Sequence, residues 1–149
     1  MNKETGGFVS EGMKRFNYLI SEIDAVYHEA ALRFGLSDSA MHILYTLCNN
    51  DGQCLLSDIC KCSGISKQTI NSAIRKLEAE DIVYLEHFSG KKKMVYLTDK
   101  GNEIVKNTVC RLIKKENEIF GSWSEKEQKE YLDLTQRFLN QIKEKVLEI

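Results

Sequence analysis

LLSDICKCSGISKQTINSAIRKLEAEDIVYLEHFSGKKKMVYLTDKG, residues 55–101, is the stretch of the sequence in which the spacing of apolar residues decides the fold. Apolar residues at helical spacing predict two short helices, about Ser57 to Cys62 and Lys67 to about Glu80. Ser63-Gly64 ends the first helix, and Ser66 is placed to cap the second. Two short helices joined by a tight turn that contains glycine are typical of a helix-turn-helix.

After the second helix, β-branched and aromatic residues replace the helical spacing. Residues from Ile82 to Phe88 and from Met94 to Thr98 predict two strands, separated by the polar tip Ser89 to Lys93. Two strands around such a tip form a β-hairpin, here a wing beside the helix-turn-helix. Cys54-Leu55 could supply a very short third strand.

Longer helices are predicted on both sides of this segment. The first runs from about Gly12 to Phe34, and Ser37 caps a second helix that stops at the turn-rich cluster of residues 49–52. One long helix is predicted from Asp99 to Phe120, and the capping box of Ser124 and Glu127 opens a last helix that ends near Leu147. The predicted fold is mainly α with a small β-hairpin wing.

Composition predicts one soluble domain over residues 1–149. The chain has a net charge of −1 and 42% hydrophobic residues, without an apolar run long enough to span a membrane. The first seven residues are not followed by the apolar core of a signal peptide, so we expect a cytoplasmic protein with reduced cysteines. The sequence lacks a glycine-rich phosphate loop, a His-Glu-x-x-His motif and a Gly-x-Ser-x-Gly motif. We therefore expect neither an enzyme nor a cofactor.

The outward face of the second short helix and the tip of the wing carry polar and cationic side chains. Residues 61–93 contain seven lysine and arginine residues and four aspartate and glutamate residues, a local balance of +3 in a chain of net charge −1. Such a basic surface on a mildly acidic body is expected of a DNA-binding protein. The candidate DNA-binding residues are Ser66, Lys67, Gln68, Thr69, Asn71, Ser72, Arg75, Lys76, Lys91, Lys92 and Lys93.

Each of these features has an ordinary interpretation when it is taken alone. A lysine run at a hairpin tip is most often a solvated turn, and polar residues on a short helix are common. Their combination, a helix-turn-helix followed by a hairpin with a basic tip, favours binding to double-stranded DNA. The competing hypothesis is a winged-helix module that binds an acidic protein surface and does not bind DNA.

The sequence resembles the MarR family of winged helix-turn-helix transcription regulators over nearly its whole length. The resemblance is most specific in the quoted stretch and in the Leu97-Thr98-x-x-Gly101 motif that follows the wing. The family's wing usually opens with Asp-x-Arg, whereas this chain has Ser89-Gly90-Lys91, so we expect a more flexible wing and weaker base reading in the minor groove. Leu55 stands where the family often has a capping threonine.

The resemblance implies a homodimer in which helices from both ends of each chain form the interface. The DNA-binding lobe would then span about residues 37–98, and the dimerisation helices about 8–34 and 99–149. The apolar residues of these helices also support a dimer without the resemblance, because they are more numerous than one small lobe can cover. A twofold dimer predicts an inverted-repeat operator. The resemblance further implies a repressor whose DNA affinity falls when a ligand binds.

Two kinds of control are left open by the sequence, and a third is not expected. A small aromatic effector of the kind the family implies would contact Phe16, Tyr27, His42 and Tyr45, which are otherwise ordinary core and surface residues. A thiol-based redox switch would use Cys62, the cysteine expected to be exposed beside Lys61, while Cys48 and Cys60 are predicted to be buried. Metal control is not expected, since the three histidines lie in three different elements.

Overall fold

The computed structural model describes residues 10–149. The N-terminal segment interpreted above as lacking a signal peptide, and the predicted start of the first dimerisation helix near residue 8, lie outside the described residues. The chain divides into two compact units, with the boundary between Cys110 and Arg111.

Seven helices and a three-stranded sheet make up the described residues, in agreement with the predicted mainly-α winged-helix fold. The helices are α1 (Glu11–Phe34), α2 (Asp38–Asn49), α3 (Leu56–Ser63), α4 (Lys67–Ala79), α5 (Asp99–Asn107), α6 (Val109–Gly121) and α7 (Glu125–Val146). The strands are β1 (Gln53–Leu55), β2 (Val83–Ser89) and β3 (Lys92–Leu97).

Local capping explains where several helices begin. Ser37, Ser66 and Ser124 each accept a hydrogen bond from a backbone N–H in the first turn of α2, α4 and α7, as the sequence predicts. The side chain of Glu127 also bonds back to the backbone of Ser124, which completes the predicted capping box. Leu55 precedes α3 without a side-chain cap, as expected for an apolar residue at this position.

The core of the first unit lies between α2, α3, α4 and the sheet. Its largest fully buried side chains come from every one of these elements, so each helix of the helix-turn-helix is fixed by its apolar face. They are Ile43, Leu44, Leu47, Ile59, Ile70, Val83 and Val95, together with Val109 at the start of α6.

The sheet is antiparallel in the order β1-β3-β2, which confirms the hairpin and the short third strand. Val95 in the central strand pairs with Cys54 on one side and with Leu85 on the other. The predicted five-residue tip is wrong, because only Gly90 and Lys91 lie between the strands and Lys92 and Lys93 belong to β3. Gly90 has φ +58°, a conformation that lets the chain reverse within two residues.

The single helix predicted from Asp99 to Phe120 is also wrong, because it is divided into α5 and α6 at Thr108. Thr108 has φ −127° and ψ −97°, and its hydroxyl donates to the carbonyl oxygen of Ile104 at 2.7 Å. Val105 and Val109 are both buried and are spaced four residues apart across this break. The apolar spacing therefore continues through the break and gives no sign of it.

The second unit contains most of α6 and the whole of α7. Phe120, Trp123 and Tyr131 contact one another, with ring centroids 5.3–6.3 Å apart. The Gln128 side-chain amide donates to the carbonyl oxygens of Phe120 at 2.9 Å and Trp123 at 3.1 Å. These contacts fix the turn between the two helices. In residues 10–149, the structure shows no helix with the length and apolar character needed to cross a membrane.

The Leu97-Thr98-x-x-Gly101 motif joins the end of the wing to α5. The hydroxyl of Thr98 accepts from the backbone N–H of Gly101 at 2.9 Å and donates to the carbonyl oxygen of Asp81 at 2.6 Å. This double role brings the first turn of α5 against the chain before β2. A Cβ atom on Gly101 would lie only 2.1 Å from the carbonyl oxygen of Ile82. Gly101 is therefore needed for a close approach between two backbones.

We expect the substitution Gly101→Ala to destabilise the fold. The added methyl group must displace the Ile82 backbone, at a cost of about 2–3 kcal/mol in the free energy of unfolding. Urea denaturation followed by circular dichroism would measure this loss. Gly12→Ala is the matched control, since nothing lies within 4 Å of a Cβ at Gly12 and alanine is the better helix former. Equal stability of both variants would contradict the close approach.

Candidate nucleic-acid interface

An open groove of about 710 Å³ lies between the outward face of α4, one side of α3 and the wing. It brings residues from three separate segments of the sequence into one site within the first unit. Polar and charged lining residues are Ser57, Lys67, Asn71, Arg75, Glu78, Lys91, Lys92 and Lys93, and the others are Leu56, Cys60, Ile74 and Leu85.

The helical period explains why α4 presents this face. Lys67, Asn71, Arg75 and Glu78 recur at intervals of four, four and three residues, so they share one side of the helix. Ile70, Ile74 and Leu77 are almost completely buried on the adjoining side of the helix, and Ile74 also contributes to the wall of the groove. Burial of the apolar side orients the helix, and the polar side consequently faces the groove.

The groove has a strong excess of positive charge. Lys67 and Arg75 of α4 and the three lysines of the wing supply five cations, while Glu78 supplies one carboxylate among the lining residues. All of these charged side chains are exposed to solvent. A concentration of mobile cations around a groove can neutralise the closely spaced phosphates of a nucleic acid.

The structure brings together six of the eleven predicted DNA-binding residues. The six that line the groove are Lys67, Asn71, Arg75, Lys91, Lys92 and Lys93. The other five are exposed on α4 or at its N-terminus but do not line the groove: Ser66, Gln68, Thr69, Ser72 and Lys76.

Ser66 and Thr69 have structural roles at the start of α4. The Ser66 hydroxyl accepts from the backbone N–H of Thr69 at 3.2 Å, and the two hydroxyl groups are 2.8 Å apart. Both side chains thus take part in the N-cap. Their capping fixes the helix end whose unpaired backbone N–H groups carry partial positive charge.

His87 supplies a contact in the wing that the sequence analysis did not identify. Its Nε2 lies within hydrogen-bonding distance of the carbonyl oxygen of Gly90, which requires that this nitrogen carries the proton. The pairing register shifts between His87 and Ser89, so Phe88 is an extra residue in β2. The hydrogen bond crosses this irregularity and the turn, and it joins β2 to the tip beside the lysines. A histidine near a glycine turn is too common in sequences to predict such a contact.

The four predicted effector-binding residues lie on α1 and α2, and none of them lines the groove. Phe16 is 39% exposed, whereas Tyr27, His42 and Tyr45 are half-buried. His42 Nε2 is 3.4 Å from the carbonyl oxygen of Cys62, which links α2 to the end of α3. Their assignment to an effector stays a prediction.

The cysteines differ in part from the predicted arrangement. Cys62 is exposed, as expected, but Cys48 and Cys60 are half-buried instead of buried. Cys60 lines the groove. Burial, together with the neighbouring Cys110, raises the pKa of the Cys48 thiol to about 12. Burial raises the pKa of the Cys54 thiol, and the nearby charges of Asp58 and Cys62 raise it further. In residues 10–149 no three histidine, cysteine or acidic side chains are grouped so that they could hold a metal ion.

The fold and the groove define a winged helix-turn-helix protein. Residues 34–93 match the model of the MarR family. This match covers 60 of the 149 residues, which include α2, the helix-turn-helix and most of the wing, and it identifies a MarR-type winged helix in this part of the chain. No curated protein sequence matches the chain significantly.

Solved structures have the same fold at low sequence identity. NMB1585, a MarR family regulator from Neisseria meningitidis, is 17% identical with a TM-score of 0.76, covering 93% of this chain and 98% of its own. S. aureus MepR in a complex with DNA is 18% identical with a TM-score of 0.67, covering 90% and 98%. Bordetella bronchiseptica BpsR, whose DNA binding is regulated by 6-hydroxynicotinic acid, is 20% identical with a TM-score of 0.61, covering 83% and 98%.

We expect His87→Ala to loosen the tip of the wing. Loss of one hydrogen bond worth about 1 kcal/mol should make exchange of the amide protons of residues 88–93 about fivefold faster. Hydrogen exchange measured by NMR would test this expectation. His28→Ala is the matched control, because His28 bonds to Asp38 between α1 and α2 and has no contact with the wing. Unchanged exchange at the tip would show that the His87 contact does not order it.

Proposed function

We propose that this chain is a cytoplasmic, homodimeric transcriptional regulator, without catalytic activity, that binds double-stranded DNA at an inverted-repeat operator and acts as a repressor. The single observation that carries the proposal is the cationic groove, where Lys67, Asn71 and Arg75 of α4 lie beside the three lysines of the wing. The helix and the wing reach this groove from segments of the chain that are about twenty residues apart.

The α4 helix is suited to the major groove of DNA. Asn71 carries an amide that can pair with the edge of an adenine, and Arg75 can donate two hydrogen bonds to a guanine or a phosphate. Gln68 and Ser72 are exposed on the same helix and extend its polar surface. The combination of amides, hydroxyls and one planar cation allows base reading in addition to charge attraction.

The wing is suited to the backbone that flanks the major groove. Lys91 lies in the turn, and Lys92 and Lys93 open β3, so all three ammonium groups are near the tip. Lysine acts as a point charge, which suits phosphates better than base edges. That MepR has the same fold in a complex with DNA supports this assignment.

The homodimer is supported by apolar surfaces at both ends of the chain. Phe16, Leu19, Ile20 and Ile23 of α1 are 39–46% exposed, an unusual extent for four large apolar side chains on one helix. On α7, large apolar side chains recur at helical spacing and none is buried: Tyr131, Leu132, Leu134, Phe138, Leu139, Ile142 and Val146. A second copy of the chain would cover these surfaces. Twofold symmetry would then place two α4 helices one DNA turn apart, about 34–36 Å.

Control by a small aromatic effector is part of the proposal. Phe16, Tyr27, His42 and Tyr45 are the candidate contacts, and they belong to α1 and α2 rather than to the DNA-binding face. The distance between the two α4 helices of a dimer must match the spacing of the operator half-sites. A ligand that binds more tightly to a dimer with a different distance lowers operator affinity, and its difference in affinity for the two states limits the size of this effect. The regulation of BpsR by 6-hydroxynicotinic acid supports a mechanism of this kind.

We expect the triple variant Lys91/Lys92/Lys93→Ala to lose DNA affinity on every duplex. Each phosphate contact contributes about 0.9 to the slope of log affinity against log salt, so the slope should fall by about 2–3. Fluorescence anisotropy with a random-sequence duplex and with a selected operator, at several salt concentrations, measures both quantities. Arg75→Ala should weaken operator binding by about tenfold or more.

A control of equal charge separates a local contact from a change in net charge. Lys114, Lys115 and Lys126 are exposed lysines of the second unit, outside the groove. Their triple alanine variant should keep the salt slope of the original chain. If both triple variants bind DNA as tightly as the original chain, the proposal is wrong and the protein-interaction hypothesis gains support.

We expect Leu139→Asp to shift the protein from dimer to monomer. Leu139 lies in the exposed apolar row of α7, where a carboxylate in a buried interface is unfavourable by several kcal/mol. Sedimentation velocity measures the change. Asn140→Asp adds the same charge to a polar position next to it and should remain dimeric. A monomeric original chain would contradict the dimer directly.

A further inference from the structure

One large apolar side chain is exposed near the tip of the wing. Phe88 is next to the last residue of β2 and is 57% exposed to solvent. It does not line the cationic groove, and among residues 10–149 it takes part in no contact between aromatic rings. Tyr84 of the same strand is also exposed, but its ring is stacked on that of Tyr96 with the centroids 5.0 Å apart. Phe88 is therefore the aromatic ring that the wing presents to solvent.

The backbone of the wing takes this ring out of the regular strand pairing. His87 and Ser89 have successive partners in β3, so Phe88 between them is an extra residue without a pairing partner. An extra residue of this kind bends its strand and directs its side chain away from the regular alternation. Nε2 of His87 donates to the carbonyl oxygen of Gly90, and this hydrogen bond spans Phe88 and the start of the turn. The backbone that carries the exposed ring is consequently held in place.

Positive charge lies beside this ring. The lysine run 91–93 follows Phe88 by three to five residues, with its first member in the turn and the others in β3. The sequence of the two wing strands contains a single carboxylate, Glu86, which precedes the extra residue. A single exposed apolar residue is ordinary on a protein surface. An exposed ring on an unpaired residue with three cations beside it fits a surface that is anionic and also accepts a flat apolar group.

We propose that Phe88 is an apolar wedge, a side chain that enters the minor groove of DNA and opens the stack between two neighbouring base pairs. The inference rests on the proposed binding of double-stranded DNA and adds the residue through which the wing reads sequence. With α4 in the major groove, the tip of the wing reaches the adjacent minor groove. The lysines then bind phosphates on either side of this groove, and the phenyl ring contacts the base pairs.

Such a wedge reads sequence without hydrogen bonds. The lysines contribute affinity but little choice of sequence, because a point charge on a phosphate does not distinguish bases. The phenyl ring of Phe88 has no donor or acceptor for base edges, so its preference comes from the cost of deforming the DNA. Pyrimidine–purine steps such as TA and CA/TG unstack and kink most easily. Phe88 should therefore favour an operator with such a step beneath each wing, and its entry should bend the duplex toward the major groove.

The test uses the full chain and an operator selected from a random pool of duplexes. 2-Aminopurine, whose fluorescence rises when it is unstacked, replaces one base at a time in each half-site. Dyes at the two ends of the duplex report its bend by energy transfer. With the original chain, we expect the fluorescence to rise at one step in each half-site and the duplex to bend by at least about 20°.

Variants of the wing then assign these signals to one side chain. Phe88→Ala should lose both signals and bind the operator about tenfold more weakly, because a contact between the ring and the bases is lost. Its slope of log affinity against log salt should not change, since no charge is removed. Phe88→Leu should restore part of the bend, because leucine also acts as a wedge. Tyr84→Ala is the matched control, which removes an exposed ring from the same strand and should keep the bend. Circular dichroism confirms that the compared variants are folded.

A change in the DNA tests the choice of sequence. The pyrimidine–purine step at which 2-aminopurine responds is replaced by the stiffer AA step. This replacement should weaken binding of the original chain and should leave binding of Phe88→Ala unchanged, because only the original chain opens the step. Equal weakening of both proteins would show that Phe88 does not read this position and would overturn the inference.

The remaining outcomes separate this inference from the proposed function. A duplex that stays straight and stacked when the original chain is bound would overturn the wedge, and so would equal affinity and bending with Phe88→Ala. Loss of the bend in Tyr84→Ala as well would assign it to the sheet and would also overturn the wedge. In each of these cases DNA binding itself is still observed, so the proposed function stands. If the original chain binds no duplex at low salt, both are wrong.

Discussion

Burial of one side of α4 is the constraint on which the rest of the structure depends. Ile70, Ile74 and Leu77 are at most 3% exposed, and each contributes about 1.5–3 kcal/mol by leaving water. Because these residues recur at helical spacing, their burial fixes the rotation of the helix about its axis. Lys67 and Arg75 are then directed to the groove without any specific contact of their own. The buried apolar side of α4 therefore determines where the flexible charged side chains of the same helix lie.

The wing depends on this arrangement through β3. Val95 at the centre of the sheet is completely buried and pairs with both neighbouring strands, so β3 cannot shift by one residue without exposing it. That register places Lys92 and Lys93 at the start of the strand and Lys91 in the turn. Thr98 and Gly101 close the other end of the strand against the chain that follows α4. The cations of the wing and those of α4 are therefore held at one groove by the same core.

The sequence was sufficient for the features that rest on local chemistry. The caps at Ser37, Ser66 and Ser124 were predictable, because a serine accepts its hydrogen bond from a residue only three positions away. The break at Thr108 was not, since Val105 and Val109 keep helical spacing across it. The wing turn was predicted to be longer than it is, because a run of three lysines indicates solvent exposure but does not indicate which residues pair between the strands. Six of the eleven candidate residues meet in the groove. Helical period shows that Lys67, Asn71 and Arg75 share one side of α4. That this side faces the groove depends on the positions of α3 and the wing, which the sequence does not give. The contact of His87 with Gly90 depends on the irregular pairing before the turn and leaves no pattern in the sequence.

The orientation of α4 also depends on α2, which does not line the groove. α2 packs against α4 as well as against β1 and α3, and its residues Ile43, Leu44 and Leu47 are completely buried. α4 therefore rests on the buried side of α2, and a small displacement of α2 would reach it. Close-packed interiors transmit such small displacements because they contain few voids in which side chains can rearrange. The core that orients the cationic face of α4 is consequently also the route by which a change in α2 would reach it.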